Sequence, residues 1–142
     1  DVFPVCSPAL PAGPEPLRMP ADLARHTLLH VDWRSQGDTW PDWRMWLLAA
    51  GAPEVDADRG LKLSQDPMAL QVAIDGQGVA LTNSALAADD LAAGRLIKPF
   101  DPALDLAVEF AYYVVSPEAT AEAPRVTAFR EWILAEARGS NG

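Results

Sequence analysis

Residues 62–81 read KLSQDPMALQVAIDGQGVAL, and the order of elements within them decides the fold. Leu61 to Ser64 has strand character, Asp66-Pro67 is a helix start, and Met68 to Asp75 reads as the helix itself. Proline in a first turn gives up no needed donor, and Asp66 is able to accept from the free amides there. Gly76 supplies the left-handed residue that stops the helix, and Val79 to Thr82 returns as a short apolar strand. The pair Gly76-Gln77-Gly78 also raises the question of a phosphate loop. A dinucleotide loop needs its glycines between a strand and a helix start, so that helix amides face the pyrophosphate. Here they follow a helix, and Leu81 stands where the third glycine belongs. GxG alone is common in turns, so the nucleotide reading is set aside. The other end of the stretch is the better binding candidate. Ser64 and Asp66 either cap the helix or sit beside a bound small anion or carboxylate, and local sequence leaves both readings open.

Working outward, Phe3 to Ser7 is a short β-prone run ended by Pro8, and an irregular connection leads to a short helix at Pro20 to Arg25. Thr27 to Asp32 reads as a strand. Thr39 precedes Trp40-Pro41-Asp42, which places a cap, an early proline and an acidic residue at the start of a helix running to Ala50 and stopping at Gly51. Trp40, Trp43, Trp46 and Leu47 recur at three and four residues, a stripe expected to be core. A polar loop, Ala52 to Gly60, comes before the opening stretch. After it follow a helix, Ala85 to Ala93, closed by Gly94, and a strand, Leu96 to Phe100. Strands and helices alternate at the spacing of parallel βαβ units, so the fold class is α/β with helices on both faces of a sheet. A second β-prone run, Val108 to Ser116, and a linker, Pro117 to Pro124, lead to an amphipathic helix at Arg125 to Arg138. Val126, Phe129, Trp132, Ile133 and Ala137 share its apolar stripe.

Composition narrows the chemistry. With 142 residues and 49% apolar content the chain is long enough for one α/β domain with a real core. It has no run of about 18 apolar residues to span a bilayer, and no charged-then-apolar leader. It begins at Asp1 rather than methionine, which leaves a leader or a further domain upstream open. Acidic residues outnumber basic ones 20 to 11 for a net charge of -9, so the chain repels phosphate backbones and direct nucleic-acid binding by it is not expected. A single cysteine, Cys6, excludes an internal disulfide and a cysteine-based zinc cluster, which fits a reducing cytoplasm. Cys6 with His26 or His30 is the one thiol-based catalytic option, but a thiol in an apolar β run is expected to be buried and inert. His30 and Asp32 share a strand face without a third ligand, too few for a metal site. Asp89 and Asp90 point about 100° apart on their helix and read as a solvated face. No catalytic residue, metal, cofactor or membrane partner is expected.

Seven phrases, VFPVCSPAL, PADLARHTLLH, WRMWLLAAG, LQVAIDGQGVAL, ADDLAAGRLIKPF, AYYVVSP and VTAFREWILAEA, stand in an order and at spacings that resemble the effector-binding domain of LysR-type transcriptional regulators, nearest the glycine-cleavage-activator-like subgroup. The likeness runs from Asp1 to about Ala137. It implies a two-lobed, periplasmic-binding-protein-like (type II) effector domain with a ligand in the interlobe cleft. This chain would supply mainly lobe two plus the last helix of lobe one: residues 1–7 as a crossover strand, 8–111 as lobe two, and 112–142 as return strand and C-terminal helix. Apolar faces of that helix and of the crossover strands would then need cover from another copy or a rearrangement. The resemblance further implies a ligand-sensing regulatory role rather than an enzyme, a small polar or acidic effector, DNA contact only through a domain not in this chain, homo-oligomers and a cytoplasmic location. Effector contacts are expected at Ser64 and Asp66 at the helix start, at Ser7 on one crossover, at Tyr112 on the other, and at Trp33 past a strand end. Lys62, two residues from Ser64 on one strand, either neutralises an acidic effector or is an ordinary solvated lysine. The rival readings are a transporter's solute-binding protein, which shares the architecture, and a small α/β enzyme.

Overall fold

The computed structural model describes residues 1–31, 41–108 and 113–139. Strands β1 (Val2–Val5), β2 (Leu28–Val31), β3 (Leu61–Leu63) and β4 (Val79–Asn83) form one sheet in the order β1-β4-β2-β3. β2 runs parallel to both neighbours, with Leu29 opposite Leu61 on β3 and opposite Ala80 on β4. β1 alone is antiparallel, Val5 lying opposite Ala80. Helices α1 (Trp43–Ala49), α2 (Asp66–Ile74) and α3 (Ser84–Ala92) cover the sheet. Successive strand residues point to opposite faces. Accordingly Leu28 and Val79 join Trp43, Trp46 and Leu47 in one apolar layer, while Leu29 and Ala80 join Phe3, Val5, Leu70, Ala73 and Ala87 in the other. The alternation read from the sequence is therefore the observed architecture, with helices on both faces.

Local chemistry sets the element ends. The side chain of Asp42 accepts from the Met45 amide at 2.8 Å, so α1 starts three residues past the Thr39 expected to cap it. Thr39 and Trp40 lie outside the described residues. Asn83 likewise accepts from the Leu86 amide at 3.0 Å and starts α3 where β4 ends. Gly76 has φ +74° and ends α2 as expected. Two residues on, a Cβ at Gly78 would lie 2.5 Å from the Thr27 carbonyl, so the GxG pair serves a turn and a close strand approach.

Leu96 to Phe100, expected as a strand, is not one, and of the expected run Val108 to Ser116 the residues 109–112 lie outside the described residues. Leu96 to Phe100 makes only one bridge, Ile97 with Cys6, through bonds of 2.9 and 3.1 Å. Pro102, which has no amide to give to a ladder, begins a 3-10 turn over Pro102–Leu104, so the chain curls instead of extending. It returns to β1 at Leu106, which exchanges two 2.8 Å bonds with Val2. Residues 113–116 also form no strand. A strand exists through its ladder, and no described segment pairs with these residues.

The chain divides into two compact units, Asp1–Val108 and Glu109–Gly142. β1 is a full member of the first unit's sheet, since all four of its residues pair with β4. The second unit holds a 3-10 turn at Glu118–Thr120 and helix α4 (Pro124–Gly139), on which the Phe129 and Trp132 rings stand 5.9 Å apart. Both rings are exposed, at 53% and 57%. No helix among the described residues is long and apolar enough to cross a membrane.

Candidate functional site

Because β2, β3 and β4 run the same way, their carboxyl ends Val31, Leu63 and Asn83 lie along one edge of the sheet, and α2 and α3 begin at that edge. In open α/β sheets this is the edge where ligands bind. Ser64 and Asp66 both sit there, in the turn from β3 into α2. Neither is the cap of α2. The capping position falls on Gln65, whose side chain makes no capping bond. Ser64 is exposed and its hydroxyl donates to the thioether of Met68 at 3.8 Å. Asp66 is the first helical residue and is partly buried. Of the two readings that the local sequence left open, the capping one is not realised.

Burial pushes the Asp66 carboxyl above its usual range, and a bond to its own backbone amide offsets this only in part. A carboxyl raised in the fold favours its protonated form there. Its contribution to stability is present below the unfolded-state value and is lost as pH rises through the folded-state value. At neutral pH the ionised group therefore works against folding. Asp66→Asn is expected to raise the melting temperature at pH 7, with the gain shrinking toward zero near about pH 2, where the acid is neutral in both states. Thermal melts across that range check this, and a lower melting temperature at pH 7 would show that the charge is well satisfied.

Asp66 also opens onto a groove of about 390 Å3 between α2 and α3. Leu70, Ile74 and Leu86 give it an apolar floor, and Gln71, Asp90 and Arg95 bring polar groups to it. Asp90, expected on a solvated face, is instead held by Arg95 through contacts of 2.6 and 2.7 Å, with only 18% of its side chain exposed. Gly94, with φ +70°, turns the chain so that Arg95 folds back onto the helix it has just left. The sequence signal for this was the Asp-to-Arg spacing of five across a glycine stop, which helix periodicity alone does not flag.

The remaining expected contacts fall elsewhere. Ser7 lies at the opposite end of the sheet: it follows the carboxyl end of the antiparallel strand, and its amide donates to the Ala73 carbonyl near the end of α2. About 10 Å of helix separates that point from Asp66. Its hydroxyl is a local acceptor for the Ala9 amide at 3.4 Å. Lys62 is exposed on the edge strand β3, level with His30, but the strand ends at Leu63 and the alternation that would align Lys62 with Ser64 ends with it. Trp33 and Tyr112 lie outside the described residues, as does Asp32. His30 is engaged with the Arg59 carbonyl at 2.9 Å and His26 with the Pro16 carbonyl at 3.1 Å. Cys6 is buried, and burial pushes its thiol up to about 12, the state of an inert thiol. Among the described residues no three groups are placed to hold a metal ion.

Comparison with known proteins follows the same outline. A family model described as LysR substrate binding domain matches residues 1–138. The glycine cleavage system transcriptional activator of Escherichia coli K12 is 42% identical over 136 residues, covering 96% of this chain and 42% of that protein. The HTH-type transcriptional activator AmpR of Pseudomonas aeruginosa is 32% identical over 140 residues, or 95% of this chain and 43% of that one. Among solved structures, the effector domain of the Pseudomonas aeruginosa AmpR superposes with a TM-score of 0.64 at 30% identity, covering 99% of this chain and 65% of that one. The effector binding domain of AmpR from Citrobacter freundii, at 20% identity and a TM-score of 0.63, shares the fold. This chain thus spans about four-tenths of the length of the curated relatives it matches.

Proposed function

Since the chain belongs to the LysR substrate-binding domain family and has its periplasmic-binding-protein-like type II α/β fold, we propose that it is the effector-sensing part of a LysR-type transcriptional regulator. In this reading it binds a small polar or acidic metabolite in an interlobe cleft, with residues 1–7 as a crossover strand, 8–111 as lobe two and 112–142 as the return strand and last helix of lobe one. DNA is contacted through a separate domain of the full protein, which works in the cytoplasm as a homo-oligomer. Effector binding acts by population shift: a ligand moves the equilibrium between open and closed lobes only by its differential affinity for the two.

One observation supports this most. At the carboxyl edge of the parallel strands, Ser64 and Asp66 are not used as helix caps, and Asp66 is kept at the cost of some stability. A partly buried carboxyl with a raised titration point at a strand-end cleft is what a binding site tolerates and a mere scaffold tends to lose. Relatives of this chain are named as transcriptional activators, which favours a regulatory role over turnover. Titration calorimetry on the full effector domain with a panel of amino acids and small carboxylic acids tests the proposal. One ligand is expected to bind, and Ser64→Ala or Asp66→Ala to weaken it by about tenfold each, the worth of one lost hydrogen bond to a charged group. Unchanged affinity in both variants, and in Tyr112→Phe, would remove this site.

A further inference from the structure

Helices α2 and α3 both begin at the carboxyl edge of the strands and run back across the same face of the sheet, where Leu70, Ala73 and Ala87 share one apolar layer. Residues four apart on a helix stand above one another. Asp66, Leu70 and Ile74 therefore make one row along α2, and Leu86 and Asp90 make another along α3. The groove of about 390 Å3 is lined by both rows, and all of its lining lies within Asp1–Val108. Eight residues of helix, about 12 Å, separate its carboxylate end at Asp66 from Ile74. Between those points the lining is hydrocarbon: Leu70 is buried, and Ile74 and Leu86 are partly buried.

We propose that this groove is a binding site for a small organic ammonium, with the charged end at Asp66 and the hydrocarbon body along Leu70, Ile74 and Leu86. Charge decides the sign of the ligand. Arg95 lines the groove but is engaged with Asp90 at 2.6 and 2.7 Å, so its charge is already matched. Among the described residues no cation pairs with Asp66, although burial works against its charged form. Two carboxylates against one guanidinium leave the lining negative, which repels an anion and favours a cation. Gln71 donates its amide nitrogen to Asp75 at 3.0 Å, which leaves its carbonyl oxygen as a further acceptor for an ammonium. The apolar strip sets the rest of the ligand, because a bare inorganic cation gains nothing from it, whereas a hydrocarbon body removes it from water. The site goes beyond the sensing role proposed above and shares one residue with it, Asp66. It needs neither a second lobe nor the segment after Val108.

Methyl-resolved NMR titration of this chain with three probes tests the site. Phenethylammonium carries both charge and hydrocarbon, 3-phenylpropionate keeps the carbon skeleton with the opposite charge, and methylammonium keeps the charge alone. Phenethylammonium is expected to shift the methyl resonances of Leu70, Ile74 and Leu86 saturably, with a Kd of about 1 mM or tighter. The other two are expected to bind at least about tenfold more weakly, since each lacks one of the two interactions. Asp66→Asn, expected above to stabilise the fold at pH 7, should weaken phenethylammonium by about tenfold or more. Ile74→Trp, which fills the groove from a partly buried position, should weaken it as much, and Leu86→Phe replaces it should that protein fail to fold. Equal binding of 3-phenylpropionate would overturn the charge assignment, and equal binding of methylammonium the role of the apolar strip. Absence of saturable shifts at the three residues, or an affinity unchanged in Asp66→Asn, would overturn the site. Failure of the sensing role is a separate result: the full effector domain would bind no amino acid or carboxylic acid in calorimetry while phenethylammonium still shifted the groove.

Discussion

Trp46→Ala is expected to cost the fold about 4 kcal/mol, a third or more of the stability of an ordinary domain. Trp46 is completely buried, meets Trp43 edge-on at 5.9 Å and stacks on Phe100 at 5.5 Å. It anchors the layer that joins α1 to Leu28 and Val79 of the sheet and to Leu17 and Leu23 of the preceding segment. Truncation loses the transfer free energy of the largest core side chain and leaves a void that rigid strands cannot close. The indole nitrogen has no hydrogen-bond partner among the described residues, so part of the ring's gain is already spent on an unpaired donor. Trp46→Phe, which keeps the stack and removes that donor, should therefore cost less than half as much. Trp43 behaves the other way. Its indole donates to the Leu29 carbonyl at 3.0 Å, so Trp43→Phe should be the more harmful of the two phenylalanine variants. Urea unfolding followed by far-UV circular dichroism measures all three. A Trp46→Ala protein within about 1 kcal/mol of its parent would mean that this layer collapses to fill the space.

These residues also show how much the sequence carried. The tryptophan stripe, the glycine stops at Gly51, Gly76 and Gly94 and the strand between two helices were legible because each is a local rule with one structural solution. Long-range placement is not legible in this way. Family likeness names Ser7 on a crossover as an effector contact, and its distance from Ser64 and Asp66 is not written in a strand's own residues. β1 runs antiparallel and carries Ser7 to the far end of the sheet. Leu96 to Phe100 has a strand's composition, yet its one bridge to β1 is followed by a proline turn. Lys62 was aligned with Ser64 by alternation, and the strand ends between them. The candidate site was half legible for the same reason. Ser64 and Asp66 flank a helix start visible locally, whereas the Asp90 to Arg95 pair and the Lys98 to Asp105 pair depend on how turns fold back. Charge pairs that close across a turn have no periodic signature, so pattern reading treats their members as solvated.

Gly60→Ala is expected to cost about 3 kcal/mol or more and to act first on the edge proposed for binding. Gly60 has φ +121°, a conformation open to glycine, and a Cβ there would stand 2.0 Å from the Leu28 carbonyl oxygen. That atom belongs to β2, so neither partner yields without shifting backbone. β3 is an edge strand of three residues, paired on one side only. It is the element with least to lose, and detachment of β3 relieves the clash at the lowest cost. The next residues along the chain are Ser64 to Asp66, so the same relief frees the start of α2. Gly51→Ala separates strain from collision: Gly51 also has positive φ, at +73°, but apart from its chain neighbours no atom of the described residues lies within 4 Å of a Cβ built there. Its loss should stay near 1 kcal/mol, the ordinary penalty of a left-handed alanine. Hydrogen exchange in Gly60→Ala should rise first at Leu61 to Leu63 while β1 and β4 stay protected, and affinity for the effector proposed to bind at Ser64 and Asp66 should fall even where the domain remains folded. A uniform rise across the whole sheet would instead mean that β3 is bound into the cooperative core, and the carboxyl edge of the strands would then be as rigid as the tryptophan layer behind it.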